Sequence, residues 1–347
     1  MDILKFFREA IAREASDLHL VAGSAPALRV GGKLSRIEET PLSNRELFKQ
    51  ISSVISEEQK EKLLKDKELD MSLQVDDRHF RVNFHFQERK IGMAARLMPE
   101  KPPSPREIDF TEIMYRLTHL NDGLILVTGP AGVGKSTTLA TMIDIINQER
   151  RAHIITVEDP IEYRFEDKQC IIEQRELNFD TKSFSSALKY SLRQDPNVIM
   201  VGEMRDLETM STALQAAETG HFVLSTLHTS TATETISRIV DMFSLDSHQR
   251  VLNQLSSCLR AVISQQLIPK KGGGLVVVRE ILINNTAISS LIRNDKLEQI
   301  YNAIETGSQD GMITMNKAIE NLYQKGIIDE KTAGSRKRDF NTSATYY

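Results

Sequence analysis

A chain carrying Gly129-Pro-Ala-Gly-Val-Gly-Lys-Ser136 has few folds open to it. The pattern G-x-x-x-x-G-K-[ST] works as a turn between a buried strand and a helix, where backbone N–H groups wrap a phosphate. The glycines let the backbone curl so that successive N–H groups converge on one oxyanion. Lys135 adds a positive charge for the β/γ-phosphates, and Ser136 offers a hydroxyl to Mg²⁺. The flanks agree. Leu124–Thr128 reads as a buried strand running into the turn, and Leu139, Met142, Ile143 and Ile146 follow the i, i+3, i+4, i+7 stripe of a helix packed on a sheet. The expected ligands are a nucleoside triphosphate and Mg²⁺. Gly129, Pro130, Ala131, Gly132, Val133, Gly134, Lys135, Ser136 and Thr137 form the cradle, and Ser136 serves as a metal ligand.

The 347 residues suffice for two domains with ample core. A formal net charge of -4 gives no support for a basic nucleic-acid surface, so nucleic acid is not an expected partner. Cys170 and Cys258 are far apart and in no C-x-x-C pair, which argues against a disulfide framework or a zinc site. The start, Met1-Asp-Ile-Leu-Lys-Phe-Phe-Arg, is too charged for a signal peptide, and no apolar run approaches a membrane span. The expectation is a cytoplasmic protein with no integral membrane segment.

Pro99, Pro102, Pro103 and Pro105 crowd into seven residues and predict a semi-rigid linker. The expected domains are 1–98, a linker over 99–111, a second domain over 112–334, and a tail over 335–347 without periodicity or structure. In the first domain, Ala27–Val30 and Lys33–Ile37 flank Gly31-Gly32, a hairpin signal. Phe80, Val82, Phe84 and Phe86 alternate with polar residues, and Ile91, Met93, Ala95 and Leu97 share a face in the next strand. Two neighbouring strands would thus present Arg81 and Arg96 from one polar face, which by itself reads as a solvated sheet surface. In the second domain, Leu124–Thr128, His153–Val157, Asn197–Val201 and Phe222–Thr226 are short apolar runs separated by helical stretches such as Asp206–Thr219. That alternation predicts an α/β core of doubly wound type, with the phosphate loop at the carboxyl edge of the strands. Val251, Leu252, Leu255, Leu259, Val262 and Ile263 predict a long helix. Leu297, Ile300, Tyr301 and Ile304 predict another, and Met315, Ile319 and Leu322 a third.

Three further clusters stand at strand ends. Thr156-Val-Glu-Asp-Pro-Ile-Glu162 brings Glu158, Asp159 and Glu162 together. Near a triphosphate these acids would need a cation between, so roles toward Mg²⁺ or water follow, with Glu158 a candidate metal ligand; a capped, solvated turn is the plainer alternative. Asn197–Asp206 resembles a Walker B strand, with Gly202 where an acid is usual and Glu203 alone at the tip, placed to orient or deprotonate a water. Asp206 reads as a helix cap. Gly220–Thr229 sets His221 and His228 at opposite ends of a buried strand, too far apart to share a metal.

The phosphate loop, Glu158-Asp-Pro-Ile-Glu162, Val201-Gly-Glu-Met-Arg-Asp206 and the two-histidine segment, in this order, resemble the secretion and type IV pilus ATPase superfamily. The likeness is greatest to its pilus-retraction, twitching-motility branch. Ala15-Ser-Asp-Leu-His-Leu20, Leu259–Leu267 and Gly311-Met-Ile-Thr-Met315 share it, so it spans nearly the whole chain. The resemblance implies a PAS-like N-terminal α+β domain and a RecA-like P-loop ATPase domain. It also implies a homo-hexamer with nucleotide between the two domains. The role implied is an ATP-hydrolysing motor, peripheral at the inner membrane, that acts on a pilus platform protein there, with a paralogous pilus ATPase as a further partner.

Carried over by residue, the resemblance makes Glu203 the catalytic carboxylate and Glu158, Asp159 and Glu162 an acid box. His221 and His228 sense or couple the nucleotide state, and Arg81 and Arg96 reach the phosphates. The chain departs from that family at Ala131 and Val133, where Thr and Ser are usual, at His79, where Arg is usual, and at Ala287-Ile-Ser289, where the retraction-associated motif is Ala-Ile-Arg. Those departures keep open an accessory paralogue with little turnover of its own.

Overall fold

The structure, a computed structural model, describes residues 2–38 and 40–337. It falls into two compact units. The first holds the residues through Lys101 together with Pro160–Arg164; the second holds Pro102–Asp159 and the chain from Phe165 onward.

The first unit runs α1 (Leu4–Ala12), β1 (Asp17–Val21), β2 (Ala27–Val30), β3 (Lys33–Arg36), α2 (Asn44–Ser52), α3 (Glu57–Asp66), β4 (Glu68–Val75), β5 (Arg78–Gln87) and β6 (Lys90–Leu97). Among the described residues these strands form one antiparallel sheet in the order β3-β2-β1-β6-β5-β4. The Gly31-Gly32 turn joins β2 to β3 as the hairpin signal requires. Alternation decides the faces. Phe80, Val82, Phe84, Ile91, Met93 and Ala95 are buried with Phe6 and Phe7 of α1, and the Phe7 and Phe80 rings meet edge-on at 4.8 Å. Each such side chain contributes roughly 1.5–3 kcal/mol by leaving water. The opposite face keeps the polar residues, and Arg81 pairs in register directly across from Arg96.

The second unit runs α4 (Glu112–Leu117), β7 (Gly123–Thr128), α5 (Lys135–Glu149), β8 (His153–Glu158), β9 (Ile171–Glu176), α6 (Phe184–Ser191), β10 (Val198–Val201), α7 (Leu207–Glu218), β11 (Phe222–Leu227), α8 (Ala232–Asp241), α9 (His248–Cys258), β12 (Leu259–Pro269), β13 (Leu275–Ile283), α10 (Thr286–Arg293), α11 (Ile300–Thr306), α12 (Met315–Gln324) and α13 (Glu330–Arg336). The sheet order among the described residues is β13-β12-β7-β11-β10-β8-β9, parallel except for β13 at one edge. Both faces are covered, because successive residues of β7 enter different cores. Leu124 and Leu126 pack with α6 to α10, while Ile125 and Val127 pack with Leu139, Met142, Ile143 and Ile146 of α5.

Three expectations change. The helix expected through Val262 and Ile263 stops at Cys258, and Leu259–Pro269 is a strand. Sandwiched between β7 and β13, this strand is buried on both faces over residues 261–265, so its apolar residues do not alternate and their helical spacing is accidental. Leu297 lies in a separate 3₁₀ turn ahead of α11. Ser335 and Arg336, expected in the unstructured tail, close α13, and residues 338–347 lie outside the described residues.

Candidate functional site

The phosphate loop leaves the carboxyl end of β7 and enters α5 through Gly134, whose φ of 87° no β-carbon tolerates well. Gly129 has a φ of 141°, and a β-carbon there would drive into the backbone carbonyl of Gln265 on the neighbouring strand β12. The loop therefore needs glycine at this position for contact as well as conformation. Lys135 is 92% shielded (8% exposed), and its Nζ donates to the carbonyls of Gly129 at 2.9 Å and Pro130 at 3.0 Å. The N-cap Gly134 offers α5 no side-chain capping bond. A helix start of this kind presents N–H groups to an anion.

Parallel register places the other clusters along the same sheet edge. Thr128 is level with Leu227 and Val201 with Ser225, so Gly129, His228 and Glu203 follow the ends of adjacent strands. At about 4.8 Å per strand, Glu203 sits on the order of 10 Å along the edge from the loop. Its side chain is 14% exposed, with Arg205 Nη2 at 2.6 Å from one oxygen and His228 Nε2 at 3.5 Å from the other. Thr226 Oγ1 donates to the Gly202 carbonyl at 2.6 Å and Ser225 Oγ to the Val201 carbonyl at 2.7 Å, so β11 anchors the backbone that carries Glu203. Gly202 lies against β8, where a β-carbon would come 3.3 Å from the Val157 carbonyl oxygen. Asp206 caps α7, accepting from Thr209 N at 2.8 Å.

The acid cluster is divided. Glu158 and Asp159 end β8 in the second unit, while Glu162 falls in the segment grouped with the first. Glu158 is buried; one of its oxygens accepts from Thr156 Oγ1 at 2.6 Å and Gln174 Nε2 at 3.2 Å. The histidines are divided as well. His221 precedes β11 at the amino edge, with Nδ1 3.1 Å from the Ala216 carbonyl, whereas His228 follows β11 at the carboxyl edge beside Glu203. Six strand residues separate them, roughly 20 Å. The structure brings His228 to Glu203 and leaves His221 at the other end.

On the polar face of the first unit, a cleft of about 180 Å³ is lined by Asp17, Asp70, Arg81, Asn83, Ala94, Ala95 and Arg96. Arg96 Nε donates to Asp17 Oδ1 at 2.9 Å. Burial opposes the charge on Asp17, but the hydrogen bonds from Arg96 and Ser16 outweigh it and hold the carboxyl below its ordinary value. His79 is pushed below its ordinary value by burial and by Arg164.

A second cavity of about 370 Å³ abuts the loop at Gly132, Gly134 and Thr137 and reaches Leu267, Lys270 and Leu275. It depends on β12 and β13, which the helical reading of that region hid; the β-branched pair Val262-Ile263 was the available signal. No cluster of three or more His, Cys, Asp or Glu that would hold a metal occurs among the described residues. Mg²⁺ in a phosphate site needs only one or two protein donors beside phosphate oxygens and water. The exposed Ser136 in the first turn of α5 fits that requirement.

Comparison with known proteins shows the family and the fold. Residues 1–289 match the family model for type II/IV secretion system proteins. The chain is 44% identical to the type IV pilus retraction ATPase PilT of Pseudomonas aeruginosa, over 97% of this chain and 98% of that one. It is 40% identical to a twitching motility protein of Neisseria gonorrhoeae, over 97% and 91%. The crystal structure of the pilus retraction motor PilT with bound ADP superimposes with a TM-score of 0.92 at 46% identity, covering 98% of each chain.

Proposed function

We propose that this chain, which belongs to the type II/IV secretion system protein family, is an ATP-hydrolysing motor that powers type IV pilus retraction and twitching motility. The observation that carries the hydrolytic reading is the largely buried Glu203 carboxylate, oriented by Arg205 and His228 on the sheet edge from which the phosphate loop emerges. A carboxylate held there accepts the proton of a water aligned on the γ-phosphate.

Lys135 exchanges its loop carbonyls for phosphate oxygens, and the N–H groups at the start of α5 take up the charge. Mg²⁺, held by Ser136 and by Glu158 directly or through water, would neutralise charge on the β- and γ-oxygens. The 370 Å³ cavity beside Thr137 would take the nucleoside. Glu158 and Asp159 would order water or metal at the end of β8, with Glu162 in the same role. Arg81 and Arg96 would neutralise charge developing on the phosphates. His221 would couple nucleotide state to a neighbouring surface, since it lies away from Glu203. A homo-hexamer working in the cytoplasm against an inner-membrane platform protein, with a paralogous ATPase as a further partner, completes the reading. No described helix is long and apolar enough to cross a membrane.

Deletion in the source organism tests it, scored by pilus counts and twitching. Hyperpiliated cells that do not twitch are expected; bald cells would mean extension. Purified chain should hydrolyse ATP unaided, and absence of turnover would transfer it to an accessory role.

A further inference from the structure

Strand β12 continues past the end of β7: Ser264 is level with Thr128, and Gln265 is therefore level with the first glycine of the phosphate loop. Gln265 is 1% exposed and touches the loop twice. Its backbone carbonyl is the group that excludes a β-carbon at Gly129. Its side-chain Nε2 donates to the Val133 carbonyl at 2.9 Å. Its Oε1 accepts from Thr138 Oγ1, on the first turn of α5, at 3.0 Å, and from Arg279 Nε at 3.4 Å. Arg279 is the register partner of Gln265 on β13 and is itself buried; its Nη1 donates to the Asp109 carbonyl at 3.0 Å. One residue, on a strand that carries none of the phosphate-binding motif, thus abuts the start of the loop with its backbone carbonyl and ties the middle and exit with its side-chain amide.

We propose that Gln265 is a positioning residue for the phosphate loop, and that Arg279 sets the orientation of its amide. The physical case is one of donors and acceptors. The Val133 carbonyl needs a donor, and the Arg279 guanidinium can only donate. An amide turned the other way would set oxygen against oxygen at Val133 and donor against donor at Arg279. Burial pushes Arg279 down to about 10, which leaves it charged at neutral pH and its preference intact. With the amide held, the Val133 carbonyl points away from the cradle, and the N–H groups around it stay turned toward the phosphates. The loop is then organised before nucleotide arrives, which lowers the ordering cost of binding.

This inference rests on the nucleotide reading above, and its test separates the two. Gln265→Met keeps the length and removes both polar ends; Gln265→Glu keeps the acceptor for Thr138 and Arg279 and sets a carboxylate oxygen against the Val133 carbonyl in place of the donor. Titration of the full chain with a fluorescent ADP analogue should show each variant binding about tenfold more weakly. The KM for ATP should rise in step while kcat stays within about twofold, the sign of lost binding shared by ground and transition states. Hydrogen exchange should quicken at residues 129–138 and leave β7 and β11 protected. Ile239→Ala, in a core away from the loop, serves as the comparison for a general loss of stability. ADP affinity equal to wild type in either Gln265 variant overturns the proposal. So does an equal loss of affinity in Ile239→Ala at matched Tm. A wild-type chain that binds no ADP overturns the nucleotide reading and this inference with it.

Discussion

The two ends of the parallel strands in the second unit share a backbone and differ in what leaves them. At the amino end, Gly123 N bonds the His221 carbonyl, and His221 turns its ring to the carbonyl of Ala216. The first bond joins the starts of the neighbouring strands β7 and β11, and the second is local and finishes a turn. At the carboxyl end, the loop over Gly129–Ser136, Glu203 and His228 arrive from three different strands, and His228 of one strand meets Glu203 of the next. The cause is geometric. In a parallel sheet every strand points its last residue to the same edge, so residues remote in sequence assemble there, whereas the amino edge receives short connections coming back from helices. Position on the sheet therefore weighs more than residue type: two histidines seven positions apart stand at opposite edges and face different groups.

Variants can break this contrast, and they are taken from the largest expected effect to the smallest. Glu203→Gln keeps the shape and removes the base, so kcat should fall by about 100-fold or more while ADP affinity is retained; single-turnover kinetics beside an ADP titration check both halves. Lys135→Ala should weaken nucleotide binding by on the order of 100-fold, since it deletes a buried charge aimed at phosphate. Gly129→Ala should lower affinity by about tenfold or more through collision with the Gln265 backbone. By contrast Gly220→Ala, at the amino end with a φ of 100° and open space around it, should cost about 1 kcal/mol in stability and leave turnover unchanged. His228→Ala should reduce kcat about fivefold by loosening Glu203, whereas His221→Ala in the isolated chain should stay within about twofold. Equal losses at the two histidines would erase the distinction between the edges.

Much of this site was readable in the residues, for identifiable reasons. The phosphate loop is made by backbone, and its sequence reports a conformation directly. The helix behind it was legible because Leu139, Met142, Ile143 and Ile146 are buried on one side in the stripe their spacing implies. Arg81 and Arg96 could be put on one face because strand alternation is strict, and their register proves to be one to one. Asp206 was recognisable as a cap because its bond to Thr209 is local. Gln265 was not legible. Its segment carries helical spacing by coincidence, and its partners lie 132 and 127 residues away in the chain.

The sequence by itself determined that a phosphate loop joins a buried strand to a helix, that alternating strands and helices wind around it, and that prolines restrict the backbone over residues 99–105. Those follow from local rules: backbone conformation, side-chain period and the fixed φ of proline. Only the tertiary structure decided that β12, rather than a helix, lies beside β7, that the Val133 carbonyl is met by Gln265, and that Glu203 keeps His228 and not His221. Hydrogen bonds between strands depend on which backbone arrives alongside, and no spacing along a single strand records its neighbour. The phosphate loop is thus written in eight consecutive residues, while what holds it in shape is contributed by a strand more than a hundred residues further on.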